Sequence, residues 1–166
     1  GPSAKAEADS ATALGSKTSA TGDRSVAVGI SAEAKGRYAS TLGAEASAVG
    51  NATAVGAKSI ASQDAAVAVG TDSKATGNYA SALGADAASG NDSTAFGHGT
   101  EASGGSSTAL GSRAKAKSTA GVGIGMLAES TKEYGIAIGG ESSSTGDNSI
   151  TIGRKSSVTG NNGVAI

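Results

Sequence analysis

The sequence predicts an all-β solenoid, and three observations predict it. A glycine recurs at Gly15, Gly29, Gly43, Gly56, Gly70, Gly84, Gly97, Gly111, Gly125, Gly139 and Gly153, a step of 14 residues shortened to 13 twice. Immediately before each stands a large apolar residue: Leu14, Val28, Leu42, Val55, Val69, Leu83, Phe96, Leu110, Ile124, Ile138 and Ile152, with Ile166 in phase for one more copy. Two places earlier stand residues that are mostly β-branched, among them Val26, Thr53, Val67, Val122, Ile136 and Ile150, so each copy alternates with the period of a strand.

A second strand follows each closing glycine. Small residues stand three and five places after it (Thr18 and Ala20, Ala32 and Ala34, Ala46 and Ala48, Ser59 and Ala61, Ser73 and Ala75). Glycine often ends this run, and Asn or Asp comes next, as in Gly22-Asp23, Gly77-Asn78 and Gly146-Asp147, pairs suited to turns of positive φ. Two strands of about five residues and two tight turns use up the period. Each copy is then one coil, and about twelve coils stacked in parallel at roughly 4.8 Å make a rod on the order of 50 to 60 Å long.

Composition agrees with a thin interior. The 166 residues include 27 Gly, one Phe, three Tyr and no Trp, too few bulky side chains for an ordinary globular core and too much glycine for a helical bundle. A net charge of −1 and 37% apolar content argue against disorder, and the absence of a basic cluster argues against nucleic acid. There is no cysteine, and no apolar run of membrane-spanning length. Gly1-Pro2-Ser3 reads as a tag scar ahead of a single unit spanning residues 4–166.

The alternation places residues on faces. The large positions (Leu14, Val28, Leu42, Val55, Val69, Leu83, Phe96, Leu110, Ile124, Ile138 and Ile152) are expected to fill the core within each chain. The residues between the two larger ones, Ala13, Ala27, Ala54, Ala68, Ala82, Ala95, Ala109, Ala137 and Ala165, with Thr41, Gly123 and Thr151, make a close-packing surface and are expected at an interface between copies of the chain. The charged residues lie two and four places after the closing glycine, as in Lys17, Glu33, Glu45, Lys74 and Lys115, and that face is expected in water.

Chemistry is sparse. His98, the only histidine, falls in a turn with no second imidazole or thiolate to join it in a metal site, and no Gly-x-Ser-x-Gly elbow accompanies it for nucleophilic catalysis. "GVGIG" (Gly121–Gly125) lies in phase as a strand and lacks the spacing of a phosphate loop. No catalytic, cofactor or metal residue is expected. Surface irregularities are the candidates for ligand contact: Met126 and Leu127, where polar residues are expected in other copies, and Tyr134, which shares its phase with Tyr38 and Tyr79. The three tyrosines are expected to stack at a coil corner, in interchain packing or a rim. Hexapeptide β-helix acyltransferases have a period near 18, and an ice-binding solenoid would want an uninterrupted Thr array; Thr12, Thr53, Thr94 and Thr108 are interrupted and share the phase assigned to the interior. A structural or ice-binding solenoid is the second reading.

At these residues the chain resembles the head domain of YadA-like trimeric autotransporter adhesins. The family's Asn-Ser-Val-Ala-Ile-Gly-x-x-Ser motif is matched by Asn148 to Ser156 ("NSITIGRKS") and more loosely by Asn51 to Ser59 ("NATAVGAKS"), and the resemblance covers essentially the whole chain. It implies a left-handed parallel β-roll, a homotrimer, no cofactor and no enzymatic activity. It also implies display at the outer membrane surface of a Gram-negative bacterium and a role in adhesion and virulence, with a host matrix protein, a cell receptor or another cell as partner. A neck, stalk and membrane anchor are expected to lie outside residues 4–166.

Overall fold

The computed structural model describes all of residues 1–166 as a parallel β-roll with two twelve-stranded sheets. The odd-numbered strands, from β1 (Lys5–Ala6) and β3 (Ser19–Ala20) to β23 (Ser157–Val158), form one sheet. The even-numbered ones, from β2 (Thr12–Leu14) and β4 (Val26–Val28) to β22 (Ile150–Ile152) and β24 (Val164–Ala165), form the other. Each sheet runs in strict chain order with parallel neighbours, so every coil sits directly on the one before: Val26 beside Thr12, Val67 beside Thr53. Strands of three and two residues are shorter than the five expected; the difference lies in the turns. The ladder nevertheless continues through them, since 84 of 117 backbone hydrogen bonds lie outside the strands. Ser31 N–H donates to Ser16 C=O across the turns of successive coils at 2.9 Å.

Local chemistry makes the corners. After each longer strand comes a four-residue turn closed by a bond such as Ala32 N–H to Gly29 C=O, with positive φ at its third residue (Ser31, 55°), the arrangement of a type II turn. Hydroxyls reinforce it: the Ser59, Ser73 and Ser156 side chains donate to the carbonyls of Gly56, Gly70 and Gly153, each at 2.9 Å. The 13-residue copies each lose one residue in the turn before the longer strand, at Gly50–Asn51 and Gly90–Asp92, and register is kept, with Ser40 beside Thr53 and Ser81 beside Thr94. Gly1-Pro2-Ser3 takes up the same corner geometry one coil below Gly15: Lys17 N–H donates to Pro2 C=O and Ser3 has φ 59°.

The two faces of the longer strands are exchanged relative to the sequence-based expectation. Ala27, Ala54, Ala68, Ala82, Ala95, Ala109 and Ala137 are fully buried in the chain's own core, with Thr41, Gly123 and Thr151 beside them, so they reach no second chain; Ala13 and Ala165, in the terminal coils, are half-buried in the same column. The expected core residues Leu14, Val28, Leu42, Val55, Val69, Leu83, Phe96, Leu110, Ile124, Ile138 and Ile152 instead project outward, half-buried by one another or exposed, and Leu14, Leu42 and Phe96 are more than half exposed. Thr12, Thr53, Thr94 and Thr108 project outward with them.

The reason is the thickness of the roll. A Cβ built on Gly123, in β18 (Val122–Ile124), would lie 2.6 Å from the Lys115 carbonyl oxygen of β17 (Lys115–Ala116) in the opposite sheet. Threonine is accordingly the largest fully buried side chain, as at Thr18, Thr100 and Thr151. The interior is one small side chain thick, and its hydroxyls bridge it: Thr151 donates to the Ser143 carbonyl at 3.2 Å and Ser93 to the Ala102 carbonyl at 2.8 Å. The inward positions of the shorter strands, Ala20, Ala34, Ala48, Ala61 and Ala75, are fully buried.

Candidate functional site

The roll presents two unlike outer faces and two corners. On the longer-strand face the outward residues of every coil are Val, Ile, Leu, Phe, Ser or Thr, and none is charged. An uncharged apolar surface running the full length of a rod is the kind that associates with another surface.

The shorter-strand face is charged and hydrated. Lys35 Nζ lies 2.6 Å from Glu33 Oε2, and Lys117 Nζ donates to Glu129 Oε1 at 2.9 Å. That hydrogen bond is the main cause that raises the Lys117 pKa above the ordinary 10.5; burial opposes it, and the charges of Glu129 and Glu101 add to it. A shallow depression of about 260 Å³ opens where Ala88 and Gly90 project little or nothing between Thr76 on the coil before and Glu101 and Ser103 on the coil after.

His98 is exposed in its turn, with Nε2 3.7 Å from Asp86 Oδ2, and no three His, Cys, Asp or Glu side chains gather anywhere as metal ligands. Met126 and Leu127 are exposed at the corner after β18, and Tyr134 is exposed at the opposite corner of the same coil. The tyrosines occupy equivalent corners, each with positive φ, but lie three and four coils apart, so they do not stack on one another. Tyr38 is packed instead by arginines: the Arg37 and Arg24 guanidinium carbons lie 4.7 and 5.6 Å from its ring centre, and Arg24 donates to its hydroxyl at 2.9 Å. The sequence held a signal for that cluster, a basic residue beside Tyr38 and another one coil earlier, which sequence reasoning did not use. It also missed the hydroxyls that donate to the corner carbonyls, although Ser or Thr recurs three places after the closing glycine.

Much of the repeated motif is thereby occupied with folding. Ser149 donates to the Gly146 carbonyl at 2.6 Å, Ser156 to that of Gly153, Thr151 crosses the core, and Asn148 takes the positive φ of the turn. What remains free is the apolar face, the charged face and the corners.

A stack of short parallel coils with one uncharged face and one charged face defines a two-faced parallel β-roll. The family model of the YadA head domain repeat matches residues 1–18, 20–51, 50–73, 61–87, 88–114, 130–156 and 145–166, and the chain belongs to that family. The crystal structure of the collagen-binding domain of the Yersinia adhesin YadA is similar, with a TM-score of 0.60 and 28% identity over 90% of this chain and 69% of that one. Among curated proteins none matches. Residues 115–129, which include Gly123, Met126 and Leu127, fall outside every matched segment, although their strands keep register with both neighbours.

Proposed function

We propose that three copies of the chain pack their longer-strand faces together about a common axis. The resulting rod, displayed on a Gram-negative cell surface, binds an extracellular-matrix protein or a cell receptor without catalysing a reaction. The observation that carries this reading is the outward column of Val, Leu, Ile and Phe along the entire length, uncharged in every coil, on a chain of the YadA head family. Burying that column against two other copies removes it from water and leaves the charged shorter-strand faces outside. The interface so proposed is the opposite face from the alanine column, which the fold consumes.

Three parallel copies present any ligand site three times, so weak individual contacts add to strong attachment through effective concentration. The printed description of the similar structure, a collagen-binding domain, makes collagen the first matrix protein to assay. The test is saturable binding of the purified chain to immobilised collagens, other matrix proteins and host cells, repeated with an outward Val69→Lys variant that disrupts the apolar column. Tight binding that weakens at least tenfold in the variant is expected; no binding to any matrix protein or cell surface would remove the adhesive reading.

A further inference from the structure

The corners carry large apolar residues at very few coils, and their heights match. At the corner following each longer strand, only Ile30 and the Met126–Leu127 pair are large and apolar, and all three are exposed. At the opposite corner the only aromatic residues are Tyr38, Tyr79 and Tyr134, also exposed. Ile30 and Tyr38 flank β5 (Glu33–Ala34), and Leu127 and Tyr134 flank β19 (Glu129–Ser130), so each set occupies the two ends of one strand at one height of the rod. Within a chain they do not meet, because the extended run between the corners holds them more than about 10 Å apart.

A closed three-fold ring is heterologous: the corner at one edge of each apolar face abuts the other corner of the next copy, at the same height. We infer that Tyr134 of each copy packs on Met126 and Leu127 of the partner subunit, and Tyr38 on Ile30 of the partner subunit, forming two apolar clamps that close the seam at two heights. This rests on the trimer proposed above and adds which residues seal it. The irregular coil outside the matched family segments thereby gains a role, and Met126, Leu127 and Tyr134 pass from candidate ligand contacts to assembly contacts. Tyr79 has Thr71 and Asp72 at the other end of its strand, so it forms no clamp. The remaining surface of Tyr38 after Arg24 and Arg37 have packed on it is what Ile30 of the partner subunit would cover.

The chain has no cysteine, which makes the contact directly testable. In a Tyr134→Cys, Leu127→Cys variant each replacement stands where a non-glycine residue already has positive φ, so the backbone is not newly strained. Mild oxidation is expected to convert it to a covalent species of three times the 15.5 kDa chain mass on a denaturing gel. Tyr38→Cys with Ile30→Cys should do the same and stands in if the first variant misfolds. Tyr134→Cys with Ile30→Cys, mismatched by seven coils or about 34 Å, should not. Tyr134→Ser should lower the trimer's melting temperature by about 3 °C and Tyr79→Ser should leave it unchanged. If the unmodified chain is trimeric and neither matched pair cross-links, or if the two serine variants melt alike, the clamps are wrong while the trimer stands; a monomeric unmodified chain removes both.

Discussion

The carbonyl oxygen of Gly43 lies 2.3 Å from the point a Cβ on Gly29 would occupy, and Gly29 has φ 135°. Stacking identical coils brings each closing glycine onto the next, which is why this position tolerates nothing else. Gly29→Ala combines a backbone collision with a strained dihedral and should cost about 3 kcal/mol or more, read as a lowered thermal midpoint. Gly105→Ala, with nothing within 4 Å of its Cβ position and no positive φ, should be neutral or slightly stabilising in the same assay.

Neighbouring residues of one strand should respond oppositely to substitution. Ala68 is fully buried and faces the opposite sheet across a space one small side chain thick, so Ala68→Leu should destabilise the coil by about 1–3 kcal/mol or prevent its folding. Val69 projects outward, and Val69→Ser should leave the β circular dichroism intact while lowering the association constant measured by sedimentation. The reverse pattern would restore the alanine face to the surface.

Buried serines divide by whether their hydroxyl finds an acceptor. Ser25 Oγ is buried without a partner in a column where Ala39 and Ala52 stand in the next two coils, so Ser25→Ala should stabilise by about 1 kcal/mol. Ser93 Oγ lies 2.8 Å from both the Gly90 and the Ala102 carbonyl oxygens, so Ser93→Ala should destabilise by a similar amount. Denaturant titration of the two variants beside the parent chain reads both signs.

The Lys117–Glu129 pair gives a small pH-dependent contribution. Its folded-state Lys117 pKa is raised, so its stabilisation is fully present below the ordinary 10.5 and is lost as pH rises through the higher folded value. Both side chains are more than a third exposed, which limits the contribution to less than about 1 kcal/mol. Glu129→Gln should therefore lower the unfolding free energy slightly between pH 6 and about 9, and the difference should shrink as pH rises through the raised folded pKa of Lys117. A difference that grows with alkalinity would contradict the assignment.

The period, the two strands of each coil and both corners were legible in the sequence, because glycine, positive-φ residues and alternation each leave a fixed-phase mark. The faces of the longer strands were not. Alternation shows that Val26 and Val28 share a side and that Ala27 takes the other, but not which side is inside. Ordinary size reasoning puts valine in the core. The deciding quantity is the space left by a coil of two short strands, and a clue to it lay in the shorter strands, whose inward positions are Ala, Ser and Thr throughout most coils. Opposite such residues, at the closeness Gly123 reveals, there is room for nothing larger than alanine or threonine. The corner clamps were illegible for another reason: equal height across a strand becomes visible only once the coils are stacked.

The central claim is that the outward apolar column is an interface between three copies, and the molar mass of the unmodified chain in solution tests it most directly. Multi-angle light scattering across micromolar concentrations should give three times the 15.5 kDa chain mass. A mass of one chain, with the β-roll spectrum intact, would contradict it.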